Sequence, residues 1–161
     1  SLILTSGFTT AKAQSEAEID LPDNNLGVSI MGQGAWWKVD YEKLVRLENN
    51  RLITIGAGVG RVADFALFSS PVIGTSITQN VTYNFGKYRH FLEVGLAGAL
   101  VLISDEYDTS DAGYYVFPGV GWRFQSYNKW RLFTKVYVYP PLKRKEKLWF
   151  IPYGLAVGLT F

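Results

Sequence analysis

The chain of 161 residues contains no cysteine and only one histidine, His90. Disulfide bridges, thiolate redox or metal centres and sites built from several histidines are therefore excluded. A large excess of charge of either sign is also lacking, because 16 basic and 14 acidic residues leave a formal net charge of +2. Nucleic acid binding needs a strong basic field, so nucleic acid is not a predicted partner.

A long apolar run is absent as well. A helix that spans a bilayer needs ~20 consecutive, predominantly apolar residues. Residues 65–86 carry no formal charge, but from Gly74 to Asn84 every even position is small or polar. A helix would distribute these groups around its surface, whereas a strand places them on one face. The segment therefore predicts a strand.

Aromatic residues and glycine are abundant, with ten Tyr, ten Phe, five Trp and 16 Gly. Apolar residues alternate with small or polar ones throughout the chain after residue 26, and the clearest segments are 52–60, 73–85, 92–102, 114–125, 130–138 and 149–161. In the last of these, one face consists of Trp149, Ile151, Tyr153, Leu155, Val157, Leu159 and Phe161. Alternation of this kind predicts β-strands with two different faces.

The composition of the two faces favours a membrane barrel over a soluble one. A soluble barrel buries large apolar side chains and exposes charge. Here the large apolar face is almost unbroken, and the opposite face carries glycine, small hydroxyl residues and a few charges. We therefore predict an all-β, antiparallel, up-and-down transmembrane barrel, with apolar side chains facing lipid and small or polar ones filling a narrow lumen.

A phase change near Gly32-Gln33-Gly34 decides the number of strands. Apolar positions are even at Leu26, Val28 and Ile30 and odd at Trp37, Val39 and Tyr41. A one-residue shift exchanges the two faces, so a turn there gives strands at about 25–31 and 35–46 and a total of eight. The alternative is a first strand within 16–21 and a glycine bulge at 32–34. Short connections near 48–50, 86–87 and 126–128 alternate with longer ones near 61–71, 104–113 and 140–147, which predicts periplasmic turns and extracellular loops.

Several segments resemble the small outer-membrane β-barrel proteins of Bacteroidota and, more loosely, the eight-stranded OmpA/OmpX-like barrels. They are 32–34 with 39–42, 83–86, 91–95, 121–125 and 158–161. The resemblance implies export through the periplasm to the bacterial outer membrane, with outer-membrane lipids and lipopolysaccharide as partners. It also implies recognition by the barrel-assembly machinery through Tyr153, Leu155, Val157, Leu159 and the terminal Phe161.

The N-terminal segment predicts export independently. Residues 2–8 are largely apolar, and Ala11-Lys12-Ala13 is similar to a signal-peptidase site. We therefore predict a residual signal peptide at 1–13, a polar lead at 14–25 and the barrel at 26–161.

Charged residues on the lumen phase predict internal ion pairs. Glu93 and Arg123 lie on neighbouring predicted strands and are equidistant from residue 108, so a symmetric hairpin would place them opposite each other. A carboxylate in a narrow lumen needs a partner. Further members of the predicted lumen set are Lys38, Asp40, Arg131 and Lys135. Either an internal salt bridge or a gate could use these groups.

Other clusters allow alternatives. His90 could serve a lipid-modifying hydrolase, which would need a nucleophile and an acid within reach and would be expected near the outer leaflet. His90 instead lies beside the short turn at 86–87, on the predicted periplasmic side. The acidic loop at 105–111 could bind calcium, and the basic cluster at 143–147 could meet lipid phosphates, or both could be solvated. No catalytic residue, metal or cofactor is predicted. We expect a non-enzymatic outer-membrane barrel with a structural or loop-mediated role; a lipid-modifying enzyme and a soluble lipocalin-like carrier are the alternatives.

Overall fold

A computed structural model describes residues 23–63, 73–104, 111–126, 131–142 and 151–161. The described residues form eight strands: β1 (Asn24–Ile30), β2 (Trp37–Leu47), β3 (Arg51–Ala63), β4 (Ile73–Lys87), β5 (His90–Ser104), β6 (Asp111–Gln125), β7 (Leu132–Val138) and β8 (Tyr153–Thr160). No helix among these residues is long and apolar enough to cross a membrane.

The eight strands form one closed antiparallel barrel. Each strand pairs with its neighbours in the sequence, and β1 closes the barrel by pairing with β8, where Val28 lies opposite Val157. Closure leaves no unpaired sheet edge. The all-β, up-and-down architecture and the count of eight strands are therefore confirmed, and the fold is consistent with an OmpA/OmpX-like barrel.

The phase change at 32–34 is a turn between β1 and β2. Four consecutive residues, from Met31 to Gly34, have positive φ angles of 62°, 73°, 50° and 75°. Glycine adopts this left-handed conformation without a steric penalty, which explains its presence at two of the four positions. The predicted split into two strands is thus confirmed, while residues 16–21 of the alternative lie outside the described chain.

Among the described residues, two tight turns lie at one end of the barrel, which we call the short-turn end. Asn49 and Asn50 have φ angles of 60° and 56° between β2 and β3, and Tyr88 has 58° between β4 and β5. The second of these turns is at residues 88–89, two residues beyond the predicted position at 86–87. The connection between β6 and β7 lies at the same end, whereas the other end receives the remaining connections. Residues 64–72, 105–110, 127–130 and 143–150 of these connections lie outside the described chain.

The outer and inner faces differ in the expected manner. Large apolar side chains at alternate positions face outward and are exposed, for example Val28 (48%), Leu96 (57%) and Val157 (54%). The side chains between them are buried and include Lys38, Asp40, Glu42, Glu93, Arg123 and Lys135, each at most 5% exposed. The barrel is therefore inverted relative to a soluble protein, with ionic groups inside and apolar groups outside.

The interior is less polar than the sequence analysis predicted. An apolar cluster of Tyr115, Phe117, Phe133, Tyr137, Tyr139 and smaller residues fills much of it, and a second cluster, Leu44, Leu52 and Phe91, lies nearer the short-turn end. Large rings from β6 and β7 occupy the volume that glycine and hydroxyl residues leave free. The prediction that small and polar side chains fill the lumen therefore holds for only part of the interior, because large rings occupy the rest.

Candidate functional site in the barrel interior

Two carboxylates and two basic side chains from four strands meet inside the barrel. Arg123 on β6 donates through Nη2 to Oε2 of Glu42 at 2.8 Å and to Oε2 of Glu93 at 3.0 Å. Its Nε also donates to Glu93 at 3.2 Å. Because β2 and β6 are diametrically opposite in a ring of eight strands, the Arg123–Glu42 contact bridges the whole lumen.

Lys135 on β7 completes this network. Its Nζ lies 2.6 Å from Oε1 of Glu42 and 3.2 Å from Oε1 of Glu93. Asn25 donates to the second oxygen of Glu42 at 3.3 Å, and the hydroxyl of Tyr139 donates to Glu93 at 3.4 Å. Both carboxylates therefore accept several hydrogen bonds, which compensates the desolvation of buried charge.

A separate ion pair lies nearer the opposite end. The ammonium group of Lys38 is 2.6 Å from Oδ1 of Asp40, and it donates to the side-chain oxygen of Gln33 at 2.7 Å. The hydroxyl of Ser29 donates to the other oxygen of Asp40. The two groups together contain three basic and three acidic side chains, so the six buried charges sum to zero. They are Lys38, Arg123 and Lys135 with Asp40, Glu42 and Glu93.

The β1–β2 turn folds into the barrel mouth. Residues 32–35 are buried, and a Cβ atom placed on Gly34 would lie 2.8 Å from Cβ of Ala99 on β5 and 3.4 Å from Cζ of Phe117 on β6. The turn therefore reaches from one side of the barrel to the other. The hydroxyl of Tyr137 donates to the carbonyl oxygen of Met31 at 3.0 Å, and Lys38 holds Gln33. We call residues 31–36 the mouth turn.

Glycines make room for these interior groups. On β3, a Cβ atom on Gly58 would lie 2.3 Å from Oδ1 of Asp40, and one on Gly56 would lie 2.7 Å from Oδ1 of Asn80. On β8, a Cβ on Gly158 would approach Cε1 of Phe133 to 2.5 Å. The interior face of the glycine-rich strands is therefore occupied by side chains from neighbouring strands.

Several buried polar atoms have no hydrogen-bond partner among the described residues. They are Oδ1 of Asn25, Asn80 and Asn84, Oγ of Ser76, Oγ1 of Thr78, Nη1 of Arg123 and Oε1 of Gln125. Their residues are at most 4% exposed. Four of the seven belong to the inner face of β4, and two of these four, Thr78 and Asn80, lie between a glycine on β3 and an alanine on β5. Unpaired atoms on β4 therefore outnumber those in the charged network, where Nη1 of Arg123 and Oδ1 of Asn25 have no partner among the described residues.

The structure places five of the six predicted lumen residues inside the barrel, in two separate groups, and leaves the sixth outside it. Arg131 precedes β7, has a φ angle of 39° and is exposed, while its carbonyl oxygen accepts a hydrogen bond from Thr160 at 2.8 Å. Its placement in the lumen was therefore wrong, because the alternation of β7 begins only at Leu132.

The register between β5 and β6 also differs from the prediction. Arg123 lies opposite Phe91, and Glu93 lies opposite Gly121. The hairpin is offset by two residues from the symmetric one, which preserves the face of every side chain. The long Arg123 side chain reaches Glu93 diagonally, so the ion pair forms despite the changed register.

Glu42 and Tyr139 were absent from the predicted set. Glu42 has the same phase as Lys38 and Asp40, so its position on the inner face follows from the alternation of β2. Its contact with Arg123 across the lumen follows only from closure of the barrel. Tyr139 has the phase of Lys135, but it lies beyond the end of β7.

The remaining candidates lie elsewhere. His90 is on the outer face at the short-turn end, with its ring centroid 5.5 Å from that of Trp122 and 5.2 Å from that of Phe124. Most of the acidic loop and all of the basic cluster at 143–147 lie outside the described residues. Within the described residues, no group of three or more acidic or histidine side chains is placed to hold a metal ion. The five proposed assembly residues face outward and are 49–58% exposed.

The arrangement supports a closed lumen. An ion network of zero net charge bridges opposite walls of the barrel. The smaller apolar cluster lies between this network and the short-turn end, and the rings of Tyr137 and Tyr139 lie with the mouth turn toward the other end. No nucleophile, base and acid are arranged together at this network, and its carboxylates are engaged by Arg123 and Lys135. Comparison with protein-family models, curated proteins and solved structures gives no match to the chain.

Proposed function

We propose that the chain is a non-enzymatic integral protein of the bacterial outer membrane, with a closed lumen and a structural or loop-mediated role. The observation that carries the proposal is the inversion of the barrel, with ionic groups buried inside and large apolar groups exposed outside. Water does not stabilise such an outer face, whereas the hydrocarbon core of a bilayer does. Closure also pairs the backbone of every strand, as a membrane-spanning sheet requires.

Aromatic side chains support the same proposal. At the short-turn end, Tyr83 and Phe85 lie next to each other on the outer face with ring centroids 6.1 Å apart, and Trp122 and Phe124 flank His90. At the other end, Trp37 and Tyr153 face outward and are 45% and 58% exposed. Two aromatic bands separated by aliphatic residues are typical of proteins that contact both interfaces of a membrane.

The closed interior argues for a role other than diffusion. An eight-stranded barrel has an interior that side chains can fill, and here ion pairs and rings extend across it. A lipocalin-like carrier would need an internal ligand cavity, and its outer face would have to be soluble. We infer that outer-membrane lipids and lipopolysaccharide surround the barrel.

The proposal extends to biogenesis and source. A signal peptide at 1–13 would direct export, and the outward row from Tyr153 to Phe161 would be read by the barrel-assembly machinery in the periplasm. The resemblance of the sequence to Bacteroidota barrels favours that bacterial group as its source.

Refolding from denaturant in detergent micelles tests the proposal. We expect a folded band that migrates differently from the heated protein on a gel, and no folded protein without detergent or lipid. Recovery of the folded barrel from a detergent-free soluble fraction would overturn the proposal and favour the carrier. When the protein is expressed in a Gram-negative host, protease added outside cells should cleave the loops and spare the strands.

A further inference from the structure

Basic side chains predominate at the short-turn end of the barrel. The described residues there include six basic ones, namely Lys43, Arg46, Arg51, Lys87, Arg89 and Arg131, but only two acidic ones, Asp23 and Glu48. Asp23 lies 3.8 Å from Lys43 and 3.6 Å from Arg46. Asp23 therefore partly neutralises the basic residues of β2, and the excess of positive charge is largest on the strands other than β2. This excess contrasts with the zero net charge of the interior ion pairs.

At this end, Arg51 and Lys87 are the pair of basic side chains best placed to bind one anion together. Arg51 opens β3 opposite Phe85, and Lys87 lies two residues beyond Phe85 on the same outer face of β4. Diagonal neighbours of this kind are about 7–8 Å apart at the backbone, so both side chains can reach one anion. Asn50 donates to the carbonyl oxygen of Gly86 at 2.8 Å and holds the β2–β3 turn against β4.

The pair is available to a ligand. Both side chains are exposed, and among the described residues neither forms an ion pair with an acidic side chain. Arg51 can bind a phosphate through two parallel hydrogen bonds, and Lys87 supplies a second positive charge.

The surface beside the pair fits a lipid rather than a free anion. Tyr83 and Phe85 lie immediately further along the outer face of β4, followed by Val81, which pairs directly with Ile55. Ile55 and Val81 are 50% and 54% exposed. A cationic pair, an aromatic band and an aliphatic strip therefore follow one another in the order of headgroup, interface and acyl chain.

We propose that Arg51 and Lys87 bind the headgroup phosphate of an anionic phospholipid such as phosphatidylglycerol, with its acyl chain along Ile55 and Val81. The inference rests on the proposed membrane location and adds a lipid preference at the short-turn, periplasmic side. An anionic headgroup is favoured over a zwitterionic one because the latter brings its own ammonium group to a surface that is already basic.

The test uses the full chain, refolded in zwitterionic detergent micelles and titrated with phosphatidylglycerol or phosphatidylcholine, with bound lipid measured by native mass spectrometry. The wild-type protein should bind phosphatidylglycerol more tightly. In R51Q/K87Q this preference should fall about 25-fold, since each of the two basic side chains near anionic lipid contributes roughly a fivefold change in binding. The matched control is R61Q, at the opposite end of the same outer face of β3, which should keep the preference.

The outcomes separate this inference from the proposed function. A heat-modifiable wild-type barrel without lipid preference, a preference that survives in R51Q/K87Q, or an equal loss in R61Q would overturn the inference alone. Failure of the wild-type chain to fold in any micelle would instead overturn the proposed function. If R51Q/K87Q does not fold, K87Q changes one exposed residue at the end of a strand and should weaken the preference about fivefold.

Discussion

The two faces of β2 have opposite environments although their residues alternate one by one. Trp37, Val39 and Tyr41 face outward and are 44–45% exposed, whereas Lys38 and Asp40 face inward and are at most 5% exposed. In a soluble barrel the exposures of these groups would be exchanged. The comparison shows that alternation alone does not distinguish a soluble barrel from a membrane barrel. The distinction depends on whether the outward-facing residues are apolar or charged.

The largest expected effect comes from breaking the charged inner face. R123M removes the group that bridges Glu42 and Glu93 and leaves an uncompensated buried negative charge. We expect the free energy of unfolding to fall by about 3–5 kcal/mol, measured by urea titration of the barrel in vesicles. The double variant E93Q/R123M restores neutrality and should recover part of the loss. Equal stability of wild type and R123M would show that the network does not form.

The second effect reverses the chemistry of the outer face. Val81 is 54% exposed near the middle of β4, so V81R would place a charge in hydrocarbon if the proposed location holds. The expected loss is about 2–4 kcal/mol in the same vesicle titration. V81T is a smaller polar control at the same site. An unchanged free energy for V81R, as is usual for a substitution in contact with water, would contradict a lipid-facing surface.

A third effect distinguishes the faces by volume. A Cβ atom on Gly58 would lie 2.3 Å from Oδ1 of Asp40 and 2.9 Å from Oγ1 of Thr78, so G58V should lower stability by about 1–3 kcal/mol through overpacking. The neighbouring A57V points outward and should change stability little. Similar effects of both variants on the urea midpoint would mean that the two faces are not packed differently.

The smallest effect concerns the mouth turn. Y137F removes the hydroxyl that donates to the carbonyl oxygen of Met31, a hydrogen bond whose loss lowers stability by about 1 kcal/mol. We expect faster amide hydrogen exchange in residues 31–36 and unchanged exchange in β4. Exchange that stays as slow as in the wild type would show that Tyr137 does not hold the turn.

The sequence was sufficient for the elements and for the phase of most side chains. A period of two residues predicted the strands, and the change of phase after Ile30 predicted the turn that completes the count of eight. These features are local, because each depends on residues within one strand or one turn. For the same reason the outward row from Tyr153 to Phe161 was placed correctly.

Features that depend on closure and register were not predictable in this way. The contact between Glu42 and Arg123 joins opposite walls, and no spacing along the chain encodes it. The two-residue offset between Arg123 and Glu93 could not be predicted, because residues 105–110, which connect their strands, have no sequence signature of one turn type. Arg131 was misplaced because strand alternation was extended past the start of β7.

The interior aromatic residues could have been found from phase. Phe133 and Tyr137 have the same parity as Lys135, and Tyr115 and Phe117 have that of Arg123. The predicted lumen set contained only charged residues, so these rings were not part of it. The abundance of glycine and hydroxyl residues on β3 and β4 leaves the space that the rings and charged side chains of other strands occupy.

Labelling the outer face tests the central claim most directly, and the absence of cysteine makes it simple. Nitroxide labels on L155C and V157C should, in vesicles, collide with oxygen and be shielded from a water-soluble nickel complex. A label on Y88C, in an exposed turn, serves as the aqueous control. If the labels on β8 meet the nickel complex as freely as the label on the turn, the outer face lies in water and the account is wrong.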